Sequence, residues 1–347
     1  MKNNFSGIIA NDELCNYFAR AVKSGSLSHA YILLGQKGTG KHTLARLVAA
    51  AVNCENKEDD NFALPCLECN NCKKILGGIS PDVIYVSREE DKATLGIDPI
   101  RFIKEDVAYF PNDGGYKVYI IEDAHTMTIQ AQNAFLLTLE EPPPYAIFIL
   151  LCEHTESILE TIKSRAPVLR MQIPTKTQAV EFLKVNYPNI RTLINNSPDE
   201  FDQIYMATKG SIGSILELIS SSEKKQILQN RELAQKLIEA LAHHRLSDEF
   251  AEISAAFSQK RDEREKIIAQ LCEIQAAVRD LTLIKKADEP NMIFFTDVQY
   301  AEELSYGFSA QSLIKISEST EKARRALLRN ANIKLTMVNY LSELISI

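Results

Sequence analysis

The stretch GQKGTGKHT, Gly35 to Thr43, lies between the apolar run AYILL (30–34) and the helix-like run LARLVAAAVN (44–53). A glycine-rich loop closed by a lysine, between a buried strand and a helix, is a phosphate-binding loop, and its setting calls for a parallel α/β sheet. Gly35, Gly38 and Gly40 let the backbone, with Thr39, wrap closely around phosphate oxygens. The loop N–H groups and the helix N-terminus supply partial positive charge. Lys41 reaches the β and γ phosphates. A glycine-rich turn with a stray lysine is the bland alternative, and the flanking strand and helix argue against it. The motif then departs from its pattern. After the lysine it asks for Ser or Thr, whose hydroxyl holds Mg²⁺; this chain has His42. Imidazole is a poor ligand for so hard an ion. Thr43 comes one position late, so its side chain points about 100° further round the helix. The loop is therefore expected to hold ATP or ADP, with Mg²⁺ badly held.

Four further β-rich runs follow: VIYV (83–86), VYII (118–121), AIFILL (146–151) and VLRMQI (168–173), with helical patterns between them. Together with AYILL they predict a five-stranded α/β domain. TKTQAVEFLK begins a helix with Thr175 as N-cap and Gln178 three residues on. Most of the 13 glycines, and all of the 12 prolines except Pro290, precede residue 199. A small helical segment runs to about 222, SSSEKKQ (220–226) reads as a linker, and the remainder is helical throughout. The expected domains are 1–173, 174–222 and 223–347.

KVYIIEDAH (117–125) is a strand running into an acidic pair. P-loop ATPases carry there an aspartate for Mg²⁺, often followed by a glutamate that activates water. Here the order is Glu122 then Asp123, which shifts each carboxylate by about one methylene; misplacement by about 1 Å can lower a rate about a hundredfold. An acidic strand cap is the simpler account of the same pair. Asp82, in SPD, reads as turn chemistry. Cys54, Cys66, Cys69 and Cys72 have the spacing C-x11-C-x2-C-x2-C, which suits a closed, structural Zn²⁺ site, with free buried thiols as the alternative. Cys15, Cys152 and Cys272 are isolated and read as small core residues.

The formal charge is −7, which excludes a protein broadly coated in nucleic acid and favours protein partners. No export signal or membrane-length apolar segment is evident, so the reading is a cytoplasmic protein without membrane contact.

These landmarks name a family. SHAYILLGQKGTGKHTLARLVAAAVNC, PCLECNNCKKI, SPDVIYV, LGID, KVYIIEDAHTMTIQAQNAFLLTLEEPP and IKSRAPV, in this order, resemble bacterial DNA polymerase III clamp-loader subunits over about residues 1–220. The tail ARRALLRNANIKLTMVNYL is similar to the end of that family's helical collar. The resemblance implies an AAA+ P-loop domain with an inserted zinc module, a small helical lid and a C-terminal all-α collar. It implies gamma/tau and delta subunits, a sliding clamp and primer-template DNA as partners. The departures imply weak or absent hydrolysis: His42, the reversed acidic pair, Cys152 near a polar sensor position, and Gly213 in GSIG (210–213) where motor subunits carry a sensor arginine. Ser164-Arg165 matches the family's Ser-Arg-Cys motif, with Ala166 for the cysteine. The resemblance makes Arg165 an arginine finger for a neighbouring subunit's ATP site. The residues alone favour an arginine capping the helix LETIKSR. Two other readings stand beside this one: an ATP-hydrolysing gamma/tau-type motor subunit, and a zinc-dependent nucleic-acid-binding module with a vestigial P-loop.

Overall fold

The structure, a computed structural model, describes residues 4–5, 7–59, 61–89, 92–220, 223–245, 264–286, 292–329 and 331–347. By packing, the chain divides into two units: Met1–Phe182 with Ser211–Ser214, and Leu183–Gly210 with Ile215–Ile347.

The first unit is built on β1 (Ala30–Leu34), β2 (Val83–Val86), β3 (Lys117–Ile121), β4 (Ala146–Cys152) and β5 (Val168–Arg170). They form one parallel sheet in the order β2-β3-β4-β1-β5. The central strands β1, β3 and β4 are buried along their whole length, and the edge strands are partly exposed. That is why the central runs read as continuously apolar: both faces are covered. Side chains alternate between two cores. Tyr31, Leu33, Val118, Ile120, Ile147 and Ile149 pack on one face with α1 (Asp12–Lys23) and α2 (Lys41–Val52). Ile32, Leu34, Tyr119, Ile121, Phe148 and Leu150 pack on the other with α4 (Ile97–Asp106) and α5 (Ile129–Glu140).

All five expected strands form, but β5 stops at Arg170 rather than running to Ile173. The Gln172 N–H donates to Asn11 Oδ1 at 2.7 Å, and Asn11 Nδ2 donates to the Gln172 carbonyl at 3.1 Å. A side chain thus takes the backbone groups that a longer ladder would use. Helix α3 (Asn70–Leu76) follows the cysteine cluster, and α6 (Glu160–Lys163) is a short turn of helix before β5. Helix α7 (Lys176–Asn186) opens with the expected capping box: the Thr175 N–H donates to Gln178 Oε1 at 3.0 Å, and the Gln178 N–H to Thr175 Oγ1 at 3.4 Å. Parallel register sets the C-terminal ends of three strands side by side, with Leu34 opposite Cys152 and Ile121 opposite Leu150. The glycine loop, the acidic pair and Glu153 all emerge at this edge, where ligands bind in open parallel sheets.

The described part of the second unit is helical: α8 (Pro188–Asn196), α9 (Pro198–Ala207), most of α10 (Ile212–Ser220), α11 (Glu223–Ala242), α12 (Arg264–Ile284), α13 (Val298–Ser305), α14 (Ala310–Leu328) and α15 (Ile333–Ile345). Its separate core includes Leu237, Leu271, Ile274, Leu281, Leu313, Ile316 and Tyr340. Asp280, fully buried, accepts N–H bonds from Ile293, Phe294 and Phe295 and pairs with Arg279 at 3.0 Å. The expected linker at 220–226 is shorter than its composition suggested. Glu223–Gln226 already belong to α11, since Glu, Lys and Gln are good helix formers, and 221–222 lie outside the described residues. Pro290 also lies outside them.

Candidate functional site

The glycine loop turns through two left-handed backbone positions, Gly38 at φ 76° and Gly40 at φ 90°. L-residues with a Cβ rarely adopt these, so the loop shape requires glycine there. Thr39 Oγ1 donates to the Gln36 carbonyl at 2.8 Å, tightening the turn. Lys41, only 8% exposed, folds back onto the loop and donates from Nζ to the carbonyls of Gly35 (2.6 Å) and Gln36 (2.8 Å). Burial pulls its pKa below the ordinary lysine value, opposed by the charges of Glu153 and Asp123. A phosphate entering this cradle would give the ammonium a charged partner in place of two carbonyls.

His42 and Thr43 begin α2 beside Lys41. His42 Nδ1 lies 3.3 Å from Glu122 Oε1, so the imidazole meets the first member of the acidic pair. These residues therefore do not suit Mg²⁺: where a hydroxyl and a carboxylate should share a hard cation, an imidazole and a carboxylate face one another. Asp123 is held in a left-handed backbone conformation (φ 46°), and its Oδ2 lies 3.8 Å from Arg88 Nε. The two acids thus diverge towards different partners. Cys152 ends β4, fully buried; burial pushes its thiol up to about 12, so it stays neutral and offers no charge to the site.

Residues 211–214 cover the loop tip. Ser211 Oγ and Ser214 Oγ donate to the Lys37 carbonyl at 2.7 and 3.2 Å, and the Gly213 N–H donates to the Gly38 carbonyl at 2.9 Å. A Cβ at Gly213 would stand 2.8 Å from Gly38 Cα. Gly213 is thus required by a backbone-to-backbone approach. The two serines are contacts that the sequence pattern alone did not reveal.

The four cysteines converge. Their sulfurs all lie within 4.8 Å of one another, and Cys66 Sγ is 3.9 Å from Cys72 Sγ. Tetrahedral Zn–S bonds of about 2.3 Å place sulfurs about 3.8 Å apart, so the cluster fits Zn²⁺. The N–H groups of Cys69 and Cys72 donate to Cys66 Sγ (3.3 Å) and Cys69 Sγ (3.4 Å). Cys54 ends the chain segment leaving α2, and Cys72 lies in α3, so an ion here would tie these elements together.

Arg165 lies apart from this cluster, after α6. Its NH1 donates to the Thr161 carbonyl at 3.0 Å and its NH2 contacts Glu140 Oε1 at 3.1 Å. The first bond is the helix cap that the residues alone favour. The side chain remains 36% exposed. Gln132, which the motifs did not single out, fixes the neighbourhood. Nearly buried in α5, it donates to the carbonyls of Met127 (3.1 Å) and Ser157 (2.9 Å) and accepts the Leu159 N–H at 2.8 Å. A polar residue on the apolar stripe with Phe135 and Leu139 is the signal that could have exposed it.

Among the described residues no helix is long and apolar enough to cross a membrane. The family model described as DNA polymerase III, delta subunit, matches residues 10–175. The Bacillus subtilis DNA polymerase III subunit tau is 40% identical over 161 residues, 46% of this chain and 28% of that protein. The subunit gamma of Buchnera aphidicola subsp. Acyrthosiphon pisum is 32% identical over 215 residues, 62% of this chain and 57% of that protein. The Escherichia coli subunit tau is 30% identical over 216 residues, 62% of this chain and 32% of that protein. The chain thus spans roughly a quarter to somewhat over half the length of these relatives. Residues 10–175 include the glycine loop, the four cysteines, the acidic pair and Arg165. Over residues 10–175, a little under half of its length, the chain is thus similar to DNA polymerase III subunits.

Proposed function

We propose that the chain is a delta-prime-like clamp-loader subunit, an AAA+ protein whose own site hydrolyses little and which lends Arg165 to an adjoining motor subunit. Its parts would be a P-loop domain over 1–173, a lid over 174–222 and a collar over 223–347 that anchors it among gamma/tau and delta subunits. The assembly would place a sliding clamp on primed DNA. Zn²⁺ held by Cys54, Cys66, Cys69 and Cys72 would supply rigidity and no reaction step. Gly35, Gly38, Thr39, Gly40, Lys41, His42 and Thr43 would cradle ATP or ADP, with Glu122 and Asp123 at its edge.

One observation carries this reading: His42 meets Glu122 across the position where a motor subunit would hold its metal. With Gly213 packed on Gly38 there is also no place for a sensor side chain. The exposed guanidinium of Arg165 suits a developing phosphoryl charge. The test is reconstitution with motor subunits, reading DNA-stimulated ATPase. Arg165→Ala should lower turnover at the adjoining site by about 10³ or more. Equal rates with wild type and variant would overturn the finger.

A gamma/tau-type motor is the second reading, favoured by the names and the identity, up to 40%, of the relatives. Brisk ATP turnover by the purified chain, lost in Lys41→Ala, would establish it.

A further inference from the structure

Glu140 has no part in the reading above, yet it touches the residue on which that reading turns. It is the last residue of α5, and Oε1 lies 3.1 Å from Arg165 NH2. A carboxylate in the last turn of a helix faces the negative end of the dipole, so the helix itself gains nothing from it. Its favourable partner is the guanidinium. Arg165 is meanwhile held from a second side, by the Thr161 carbonyl. That carbonyl also accepts the Ser164 hydroxyl at 3.0 Å, which fixes the end of α6. Gln132 bonds both Ser157 and Leu159, so α5 and the approach to α6 keep a set spacing. The guanidinium is therefore bracketed by two acceptors on neighbouring, mutually bonded segments.

An arginine side chain on a surface samples many rotamers, and a flexible finger reaches its target in few of them. The two contacts use only part of the guanidinium's fork of N–H donors. Both Arg165 and Glu140 remain about a third to a half exposed, at 36% and 48%. An exposed pair is screened and weak, so it can orient the arginine without withholding it from a polyphosphate.

We propose that Glu140 is a positioning residue for Arg165: it holds the guanidinium at the protomer surface with its remaining donors directed to a triphosphate on a second, nucleotide-hydrolysing subunit. This rests on the finger reading of Arg165. Glu140 touches no substrate; it acts through Arg165 alone.

The experiment uses the reconstituted assembly with Arg165→Ala, Glu140→Ala, Glu140→Gln and the double variant, reading kcat and KM for ATP under DNA stimulation. Glu140→Ala should lower kcat at the adjoining site by about tenfold with KM little changed, since orientation and not binding is lost. Glu140→Gln, which keeps an acceptor of the same length, should recover most of the rate. The double variant should be no worse than Arg165→Ala, because the two act as a unit. The melting temperature of Glu140→Ala should stay within about 2 °C of wild type, as expected for an exposed pair. If Glu140→Ala matches wild type or exceeds it while Arg165→Ala is impaired, the positioning role is refuted and the finger stands. If Arg165→Ala is itself unimpaired, both fall.

Discussion

At the scale of single residues, Asp82 shows how a turn residue becomes structural. It is 1% exposed, and its carboxylate accepts N–H bonds from Asn112 (2.6 Å), Asp113 and Gly114 (both 2.8 Å), with the Asn112 amide at 3.2 Å. Burial pushes its pKa up, but these donors outweigh burial and hold it below the ordinary 3.8. A carboxyl with a depressed folded-state pKa contributes stability above the unfolded value and loses it as pH falls through the folded value. Asp82→Ala should therefore destabilise by about 3 kcal/mol at neutral pH, or on the order of 10 °C in Tm. The gap between variant and wild type should narrow as pH falls below the ordinary value of 3.8, and melts taken down a pH series would check this. Gly213 makes a second prediction at this scale. A Cβ there meets Gly38 Cα at 2.8 Å and its carbonyl oxygen at 2.9 Å, so backbone must shift. Gly213→Ala should cost about 1–3 kcal/mol in thermal melts, and Gly213→Arg should not create hydrolysis.

At the scale of elements, the strands and the glycine loop were legible because one physical cause controls each. Burial on both faces writes continuous apolar runs, and all five were found. The loop needs glycine where φ is positive, at Gly38 and Gly40. What could not be read was which distant side chain would meet which backbone. Asn11 ending β5, Ser211 and Ser214 on the loop tip, and Glu140 beside Arg165 are contacts between segments far apart in sequence, and no local pattern encodes them. The acidic pair was legible as two acids after a strand; that His42 would pair with Glu122 was not. The cysteine cluster is intermediate: spacing named the four residues, and only the fold brings Cys54 to the other three. Its prediction belongs here. The purified chain should hold Zn²⁺ stoichiometrically in a metal-release assay, and Cys54→Ser should lose it. Chelation should lower the melting temperature, because the ion would fasten α3 to the end of α2, and structural zinc binding is worth on the order of 10 kcal/mol in small domains.

At the scale of the whole molecule, charge favours an assembly component over a nucleic-acid-binding module. The chain has 39 Lys and Arg against 46 Asp and Glu, a formal charge of −7. Several basic side chains near the features discussed are also matched locally: Lys74 Nζ lies 2.7 Å from Asp113 Oδ2, close to the cysteines, and Arg88 and Arg165 pair with Asp123 and Glu140. Affinity for DNA grows with the number of phosphates neutralised, and each released counterion steepens the dependence on salt by about 0.9 in log–log slope. A chain that neutralises few phosphates should bind weakly and respond weakly to salt. The isolated protein should bind primed DNA with a Kd weaker than about 10 μM at physiological salt, with a log–log slope shallower than about 2. Fluorescence anisotropy over a salt series measures both quantities. A slope of about 5 or more that disappears in Cys54→Ser would mean that the cysteine module itself engages phosphates, and would move the reading from a subunit acting through its neighbours to one that grips DNA alone.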